Sequence, residues 1–158
     1  MIKFLQSSID TFKVESLYSS RMLVVQTVYS FFLLKETKSI RQVCYECIKF
    51  YGFKYAENIN LIFYYSLMNV IVNNISNIDE NIKLRLSKKW KLHRLPELVL
   101  AILRVAIAEI LYKKILIIAV IINDYLIITK SLNHYDELSF INSVLDKVAK
   151  NKKNQKFN

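Results

Sequence analysis

Apolar residues recur along this chain at three- and four-residue steps, which is the spacing of one face of an α-helix. In the first such segment, Leu17, Val24 and Val28 are followed by the pair Phe31 and Phe32. Similar stripes continue almost to the carboxyl terminus. The pattern predicts helices over about residues 16–35, 40–51, 57–76, a short stretch from 79, 97–112, 118–132 and 136–150.

Capping residues support several of these boundaries. Thr37 and Ser39 offer side-chain oxygens to the start of the second helix, and Gly52 stands where a helix often ends in left-handed backbone. Asp79 is expected to cap the short fourth helix, and Asp136 the last one.

The segment 97–112 is apolar on nearly every side, with only Arg104 and Glu109 as charged interruptions after its first residue. A helix without a polar face belongs in the middle of a bundle. Because an unpaired buried charge is very costly, each of the two charges is expected to pair with a group on another helix.

Composition favours an all-α fold. The chain has 158 residues, 53% of them hydrophobic, but one glycine and one proline. Hairpin turns depend on glycine in left-handed conformations, so this scarcity argues against a sheet. We expect one compact helical domain over residues 16–150, an N-terminal arm or short extra helix over 1–15, and a basic disordered tail over 151–158.

The net charge of +10 is compatible with several kinds of binding partner and does not identify one. It suits nucleic acid or an anionic membrane, and it also suits a lysine-rich surface with no partner. The most apolar runs, 22–34, 95–111 and 115–128, are short or interrupted by polar residues, which favours core helices over membrane spans. The N-terminus lacks signal-peptide architecture, and two cysteines fit a reducing cytosol.

Several kinds of chemistry are disfavoured. A single glycine excludes the glycine-rich loops that bind dinucleotides or cradle phosphates. His93 and His134 are isolated in sequence. Cys44 and Cys47 could form half of a redox or zinc site, but they lie in a helical pattern without a second ligand pair, which favours two small buried side chains. We therefore expect no catalytic residues, no metal, no cofactor and no enzymatic activity.

Motifs in the second half follow one another in a specific order. They are Trp90–Leu95 (W-x-L-x-R-L), Ile102–Glu109 (I-L-R-x-A-x-x-E), Val120–Asp124 with Lys130 beyond it, and Asp136 with Phe140–Asp146. In the first half, Arg21, Gln26 and Tyr29 fit the pattern R-x-x-x-x-Q-x-x-Y, and Asp79 fits an aspartate of the middle helix. With these motifs, residues 16–150 resemble the NusB family.

The resemblance implies an all-α fold of two helical bundles and a cytoplasmic role in transcription antitermination. Members pair with NusE, which is also a small-subunit ribosomal protein. The pair binds the single-stranded boxA element of ribosomal-RNA leaders and joins the RNA polymerase antitermination complex. Carried over by position, the family's RNA surface corresponds to Arg21, Asp136 and Phe140, and its NusE surface includes Tyr29.

Some positions depart from the family pattern. Only Arg21 remains of the arginine cluster in the first helix, and Ile117, Asn133 and Ser143 replace the usual Pro, Gly and Gly. Phe140 can be a stacking platform for a base or the head of the core stripe that continues through Val144.

Two other functions remain open. One is a NusB-like partner-binding or ribosome-assembly protein with reduced specific RNA recognition. The other is a peripheral membrane protein that uses its basic apolar helices.

Overall fold

The structure, a computed structural model, describes the backbone of residues 2–34, 37–55, 59–86, 91–114 and 117–155, and their side chains except for 2–16, 51–55 and 153–155. Within these ranges the chain forms six α-helices and one short 3-10 helix, without a strand, which confirms the all-α prediction. The α-helices are α1 (Ile2–Leu34), α2 (Ile40–Tyr55), α3 (Leu61–Lys83), α4 (Glu97–Tyr112), α5 (Ile118–Ser131) and α6 (Leu138–Gln155), and the 3-10 helix is Leu92–Arg94.

The chain divides into two compact units, Met1–Ser66 and Leu67–Asn158. The first unit contains α1, α2 and the beginning of α3. The second contains the remainder of α3 together with α4, α5 and α6.

In the first unit, α1 packs against α2, and buried apolar side chains from α1 to α3 form the core. The hydroxyl groups of Thr27 and Tyr64 lie 3.0 Å apart in this core, and Thr27 also donates to the carbonyl of Leu23 at 2.8 Å. Two buried hydroxyls therefore satisfy each other, as burial of polar groups requires.

Side chains cap two helices of the first unit. Ser39 and Gln42 form a reciprocal capping box: the Gln42 amide oxygen accepts from the Ser39 backbone N–H at 2.9 Å, and Ser39 Oγ accepts from Gln42 N–H at 3.4 Å. At the start of α3, Asn60 Oδ1 accepts from Phe63 N–H at 2.9 Å. The capping role predicted for Ser39 is confirmed.

Several helix boundaries differ from the prediction. α1 begins at Ile2, so the expected arm is helical from that residue. α2 continues through Gly52 to Tyr55, because glycine adopts helical backbone as well as the left-handed form expected here. α6 continues to Gln155, beyond the start predicted for the disordered tail, and residues 156–158 lie outside the described part.

In the second unit, α4 occupies the centre and packs against both α5 and α6, which also pack against each other. Every residue from Val99 to Ile110 is buried, including Arg104 and Glu109. The central position predicted from the missing polar face of this helix is confirmed, and so are its bounds.

The two buried charges of α4 each have a partner on another helix, as predicted. Arg104 pairs with Asp79 of α3, and Glu109 accepts a hydrogen bond of 2.7 Å from the hydroxyl of Tyr125 on α5. The cap predicted at Asp79 is wrong, because this residue lies inside α3 and not at the start of a separate helix. Asn74 interrupts α3 with non-helical backbone (φ −125°, ψ 15°), and its side chain donates to the Val70 carbonyl at 2.8 Å.

Candidate nucleic-acid interface

The turn between α5 and α6 is built on one residue in left-handed backbone, Asn133 (φ 61°). The N–H of His134 donates to the Thr129 carbonyl at 3.1 Å, and the N–H of Asn133 donates to the Lys130 carbonyl at 2.9 Å. These two bonds form a Schellman motif, which satisfies the last carbonyls of α5 and ends the helix sharply. Asparagine tolerates this conformation better than most residues other than glycine, so Asn133 suits this turn.

Asp136 lies directly after this turn and is exposed. Since α6 begins at Leu138, Glu137 is the residue immediately before the helix, and its carbonyl accepts the Ile141 N–H at 2.9 Å. The carboxylate of Asp136 is thus displayed at the amino-terminal end of α6, one residue before the N-cap position, so the cap predicted at Asp136 is wrong.

Phe140 lies in the first turn of α6 and is half-buried. The buried stripe of this helix consists of its neighbours Ile141, Val144, Leu145 and Val148. Part of the Phe140 ring therefore faces solvent at the edge of the core. This position is compatible with stacking on a base, which remains a prediction for this residue.

Tyr135 is an aromatic residue of this surface that the sequence reasoning missed. Its side chain is 60% exposed between α5 and α6, next to Asp136. Lys130 is exposed one turn earlier, and His134 Nδ1 lies 3.4 Å from a Glu137 carboxylate oxygen. The signal in the sequence was an aromatic residue outside any apolar stripe, in a segment predicted to connect two helices.

Arg21 lies on α1 in the first unit and is only 5% exposed. Its guanidinium carbon lies 5.5 Å from the centre of the Phe63 ring, over the ring face. The preceding residue, Ser20, accepts a hydrogen bond of 2.7 Å from the backbone N–H of Asn60. Packing between α1 and α3 accounts for these contacts of Arg21, and the predicted phosphate contact stays a prediction.

Tyr29 is half-buried on α1. The neighbouring residue Ser30 lines an open groove of about 600 Å³ between α1 and α2, together with Leu34, Cys47 and Phe50. Phe50 is 77% exposed. The first unit thus displays apolar surface close in sequence to the predicted partner-binding tyrosine.

Cys44 and Cys47 are free thiols, and both are buried in the first unit. Burial raises the pKa of Cys44 above its ordinary value, although a hydrogen bond with Tyr64 acts in the opposite direction. The described residues contain no group of three or more His, Cys, Asp or Glu side chains arranged to hold a metal ion.

One described segment, Leu17–Leu34, is long and apolar enough to cross a membrane by length and composition. Core helices of soluble proteins meet the same criterion. Within the first unit, 39% of this stretch is buried, including the charged Arg21. We therefore retain the interpretation of this segment as a core helix.

Comparisons with known proteins agree on one family. A model of the NusB family matches residues 18–150. The chain is 36% identical over 88 residues to the transcription antitermination protein NusB of Caulobacter vibrioides. This match covers 56% of this chain and 59% of that protein. For NusB of Clostridium botulinum the identity is 41% over 80 residues, covering 51% and 59%. The match thus spans little more than half the length of these relatives.

Solved structures show the same fold. The chain superimposes on a structure of the antitermination factors NusB and NusE in complex with double-stranded RNA, with a TM-score of 0.72, 20% identity and coverage of 85% of this chain and 96% of the other. NusB of T. maritima gives a TM-score of 0.71 with 25% identity, over 84% and 89% of the two chains. Since the family model covers most of its length, the chain belongs to the NusB family.

Proposed function

We propose that this chain is a transcription antitermination factor, which binds boxA-type single-stranded leader RNA together with the ribosomal protein NusE and supports ribosomal-RNA transcription. It acts in the cytoplasm as a binding component of the RNA polymerase antitermination complex, without a cofactor, a membrane or catalysis of its own. Family membership supports this proposal, as do relatives named transcription antitermination protein NusB and the similar NusB structure solved with NusE and RNA.

The observation that carries the proposal is the exposed turn between α5 and α6. Aromatic rings from Tyr135 and Phe140 offer stacking surfaces for unpaired bases, and Lys130 offers a charge to the backbone. Asp136, which lies between them in sequence, can accept hydrogen bonds from base amino groups. Such a combination fits single-stranded RNA, whose bases are free to stack on aromatic side chains.

Arg21 has a different place in the proposal. A phosphate contact through this residue requires its guanidinium to leave the face of Phe63, because only 5% of the residue is accessible. The free chain is therefore proposed to bind RNA weakly. NusE is proposed to contact the first unit near Tyr29 and to supply further RNA-binding surface.

The burial of Arg21 also favours a second candidate function. With this arginine packed inside the first unit, the protein could bind NusE or assist ribosome assembly with reduced recognition of specific RNA. The two functions differ in whether a boxA sequence is preferred over a scrambled one when the partner is present.

A fluorescence-anisotropy titration separates these alternatives. A boxA-type oligonucleotide and a scrambled control are titrated with the chain alone and with the chain plus purified NusE. We expect weak binding to the chain alone, and clear preference for boxA with NusE. Equal binding of both sequences by the complex favours the second function, and flotation with anionic liposomes in place of RNA binding would favour the membrane alternative.

A further inference from the structure

A basic pocket lies in the second unit where the carboxyl ends of α3, α4 and α6 meet. It is open to solvent, has a volume of about 400 Å³ and is separate from the turn between α5 and α6. Its polar lining consists of Asn81 and Arg85 at the end of α3 and Lys147, Asn151 and Lys152 on α6. Among the described residues, three cations and two amides therefore line the pocket, and no carboxylate does.

Arg85 is half-buried, and its Nε atom is buried. One guanidinium nitrogen, Nη1, donates to the backbone carbonyl of Asn81 at 2.7 Å and to its side-chain oxygen at 3.1 Å. The buried Nε has no acceptor among the residues that the structure describes. Burial lowers the pKa of this guanidinium. An acceptor that enters the pocket would satisfy a costly buried donor.

The two lysines that line the pocket, Lys152 and Lys147, differ in their contacts. Lys152 Nζ donates to the backbone carbonyls of Ile110 and Lys113, at the end of α4, and so neutralises the negative end of that helix while fixing one wall of the pocket. Lys147 is exposed, and Asn151 lies one helical turn further along the same face of α6. Helix capping explains Lys152, but it explains neither Lys147 nor the unsatisfied Nε of Arg85.

We propose that this pocket binds a phosphate group of the RNA backbone, through Arg85 and Lys147 with the amides of Asn81 and Asn151 as further donors. Arginine and lysine with amide donors are the groups that bind phosphate oxygens in proteins. The identification of RNA as the source of this phosphate rests on the proposed function. This site extends the RNA-binding surface from the start of α6 to its carboxyl-terminal half, through a contact that reads no sequence.

Two variants of α6, a test and a control, each remove one positive charge. Lys147→Gln removes a cation that lines the pocket, whereas Lys150→Gln removes an exposed cation outside it. RNA affinity of the NusE complex is measured over a range of salt concentrations. We expect Lys147→Gln to weaken boxA and scrambled RNA alike, by about fivefold at low salt, and to reduce the salt slope by about 0.7. Lys150→Gln should change both quantities much less.

A second measurement examines the pocket without RNA. Inorganic phosphate is titrated into the full chain at constant ionic strength, and the side-chain amide signals of Asn81 and Asn151 are followed by NMR. Saturable shifts that disappear in Arg85→Gln support the site, and linear or absent shifts overturn it. If wild-type protein binds RNA and the two lysine variants bind equally, the RNA contact is overturned while the proposed function stands. If wild-type protein binds no RNA, the proposed function fails, and RNA is not the source of the phosphate. The titration with inorganic phosphate still shows whether the pocket binds phosphate.

Discussion

Arg104 and Asp79 form a bidentate ion pair between α4 and α3. Arg104 Nε lies 2.8 Å from Asp79 Oδ1, and Nη2 lies 2.9 Å from Oδ2. The Arg104 side chain is 7% exposed and that of Asp79 is 20% exposed, so water screens this pair little. The planar fork of the guanidinium fixes the rotation of α3 relative to α4, which a single contact would not do.

Removal of the carboxylate in Asp79→Ala should destabilise the protein by about 3–5 kcal/mol, because it deprives a buried guanidinium of its counter-charge. Chemical denaturation with urea measures the change. Glu80→Ala is the matched control, since Glu80 is exposed beside Asp79 and pairs only with the exposed Lys83 among described residues; it should change stability by less than about 0.5 kcal/mol. Equal effects of the two variants would contradict a structural role for the pair.

The left-handed backbone of Asn133 predicts that glycine at this position gives a more stable protein than alanine does. Asn133→Ala should destabilise by about 1 kcal/mol, because a β-carbon is disfavoured at this φ, whereas Asn133→Gly should be neutral or stabilising. Thermal denaturation by circular dichroism compares the two. In regular helical backbone the order is the reverse, because glycine destabilises a helix relative to alanine. If Asn133→Ala were more stable than Asn133→Gly, residue 133 would not have left-handed backbone.

The buried thiol of Cys44 predicts a loss of stability in alkali. Because its pKa in the folded protein is raised above the ordinary value of 9.0, the unfolded chain loses this proton first as the pH rises. The contribution is fully present below pH 9.0 and declines above it, by at most about 1.4 kcal/mol per pH unit. The pKa of the Tyr64 hydroxyl is also raised by burial and adds to the decline at higher pH. Urea denaturation from pH 8 to 10 should show a shallower decline for Cys44→Ala than for wild type, and an unchanged slope would refute the assignment.

Phe140 and Tyr135 should separate RNA binding from stability. If both rings stack on bases, alanine at either position lowers RNA affinity by about 1–3 kcal/mol. Tyr135→Ala should leave thermal stability unchanged, since the residue is largely exposed, while Phe140→Ala should lower it moderately because its ring is half-buried. Unchanged affinity in Phe140→Ala with a loss of about 3–5 kcal/mol in stability would make the ring a core residue only.

Tyr29 tests the surface proposed for NusE. Tyr29→Asp places a charge on a half-buried position of α1 and should weaken the complex with NusE, because binding would desolvate that charge. Isothermal titration calorimetry measures the affinity, and Tyr45→Asp, an exposed tyrosine on α2, is the control. An unaltered complex in Tyr29→Asp, with the fold intact by circular dichroism, removes this residue from the interface.

The sequence predicted best where the pattern alone determines the structure. The bounds of α4 were predicted correctly, and so was the pairing of its two buried charges with groups on other helices, because burial leaves such a helix few alternatives. Single residues at boundaries were less reliable. Asp79 has the composition of a cap, but the choice between capping and pairing with Arg104 depends on where another helix passes, which local sequence does not record.

The candidate site was only partly predictable for the same reason. Asp136 and Phe140 were identified through the family pattern, whereas Tyr135 was identified from its exposure in the structure. The burial of Arg21 was not predictable, since an arginine in a helical pattern gives no sign in sequence that Phe63 lies beneath it. Likewise, α6 extends to Gln155, and its Lys152 reaches the end of α4, a contact 39 to 42 residues away in sequence.

The asparagine at the end of α5 also explains how a chain with a single glycine keeps this fold. Glycine codons begin with two guanines, whereas asparagine codons begin with two adenines. A genome under pressure toward adenine and thymine can therefore exchange one for the other at left-handed positions with little loss of stability, since asparagine is among the few other residues that tolerate this backbone. At Asn133, one amino acid therefore suits both the scarcity of glycine in this chain and the left-handed backbone of the turn.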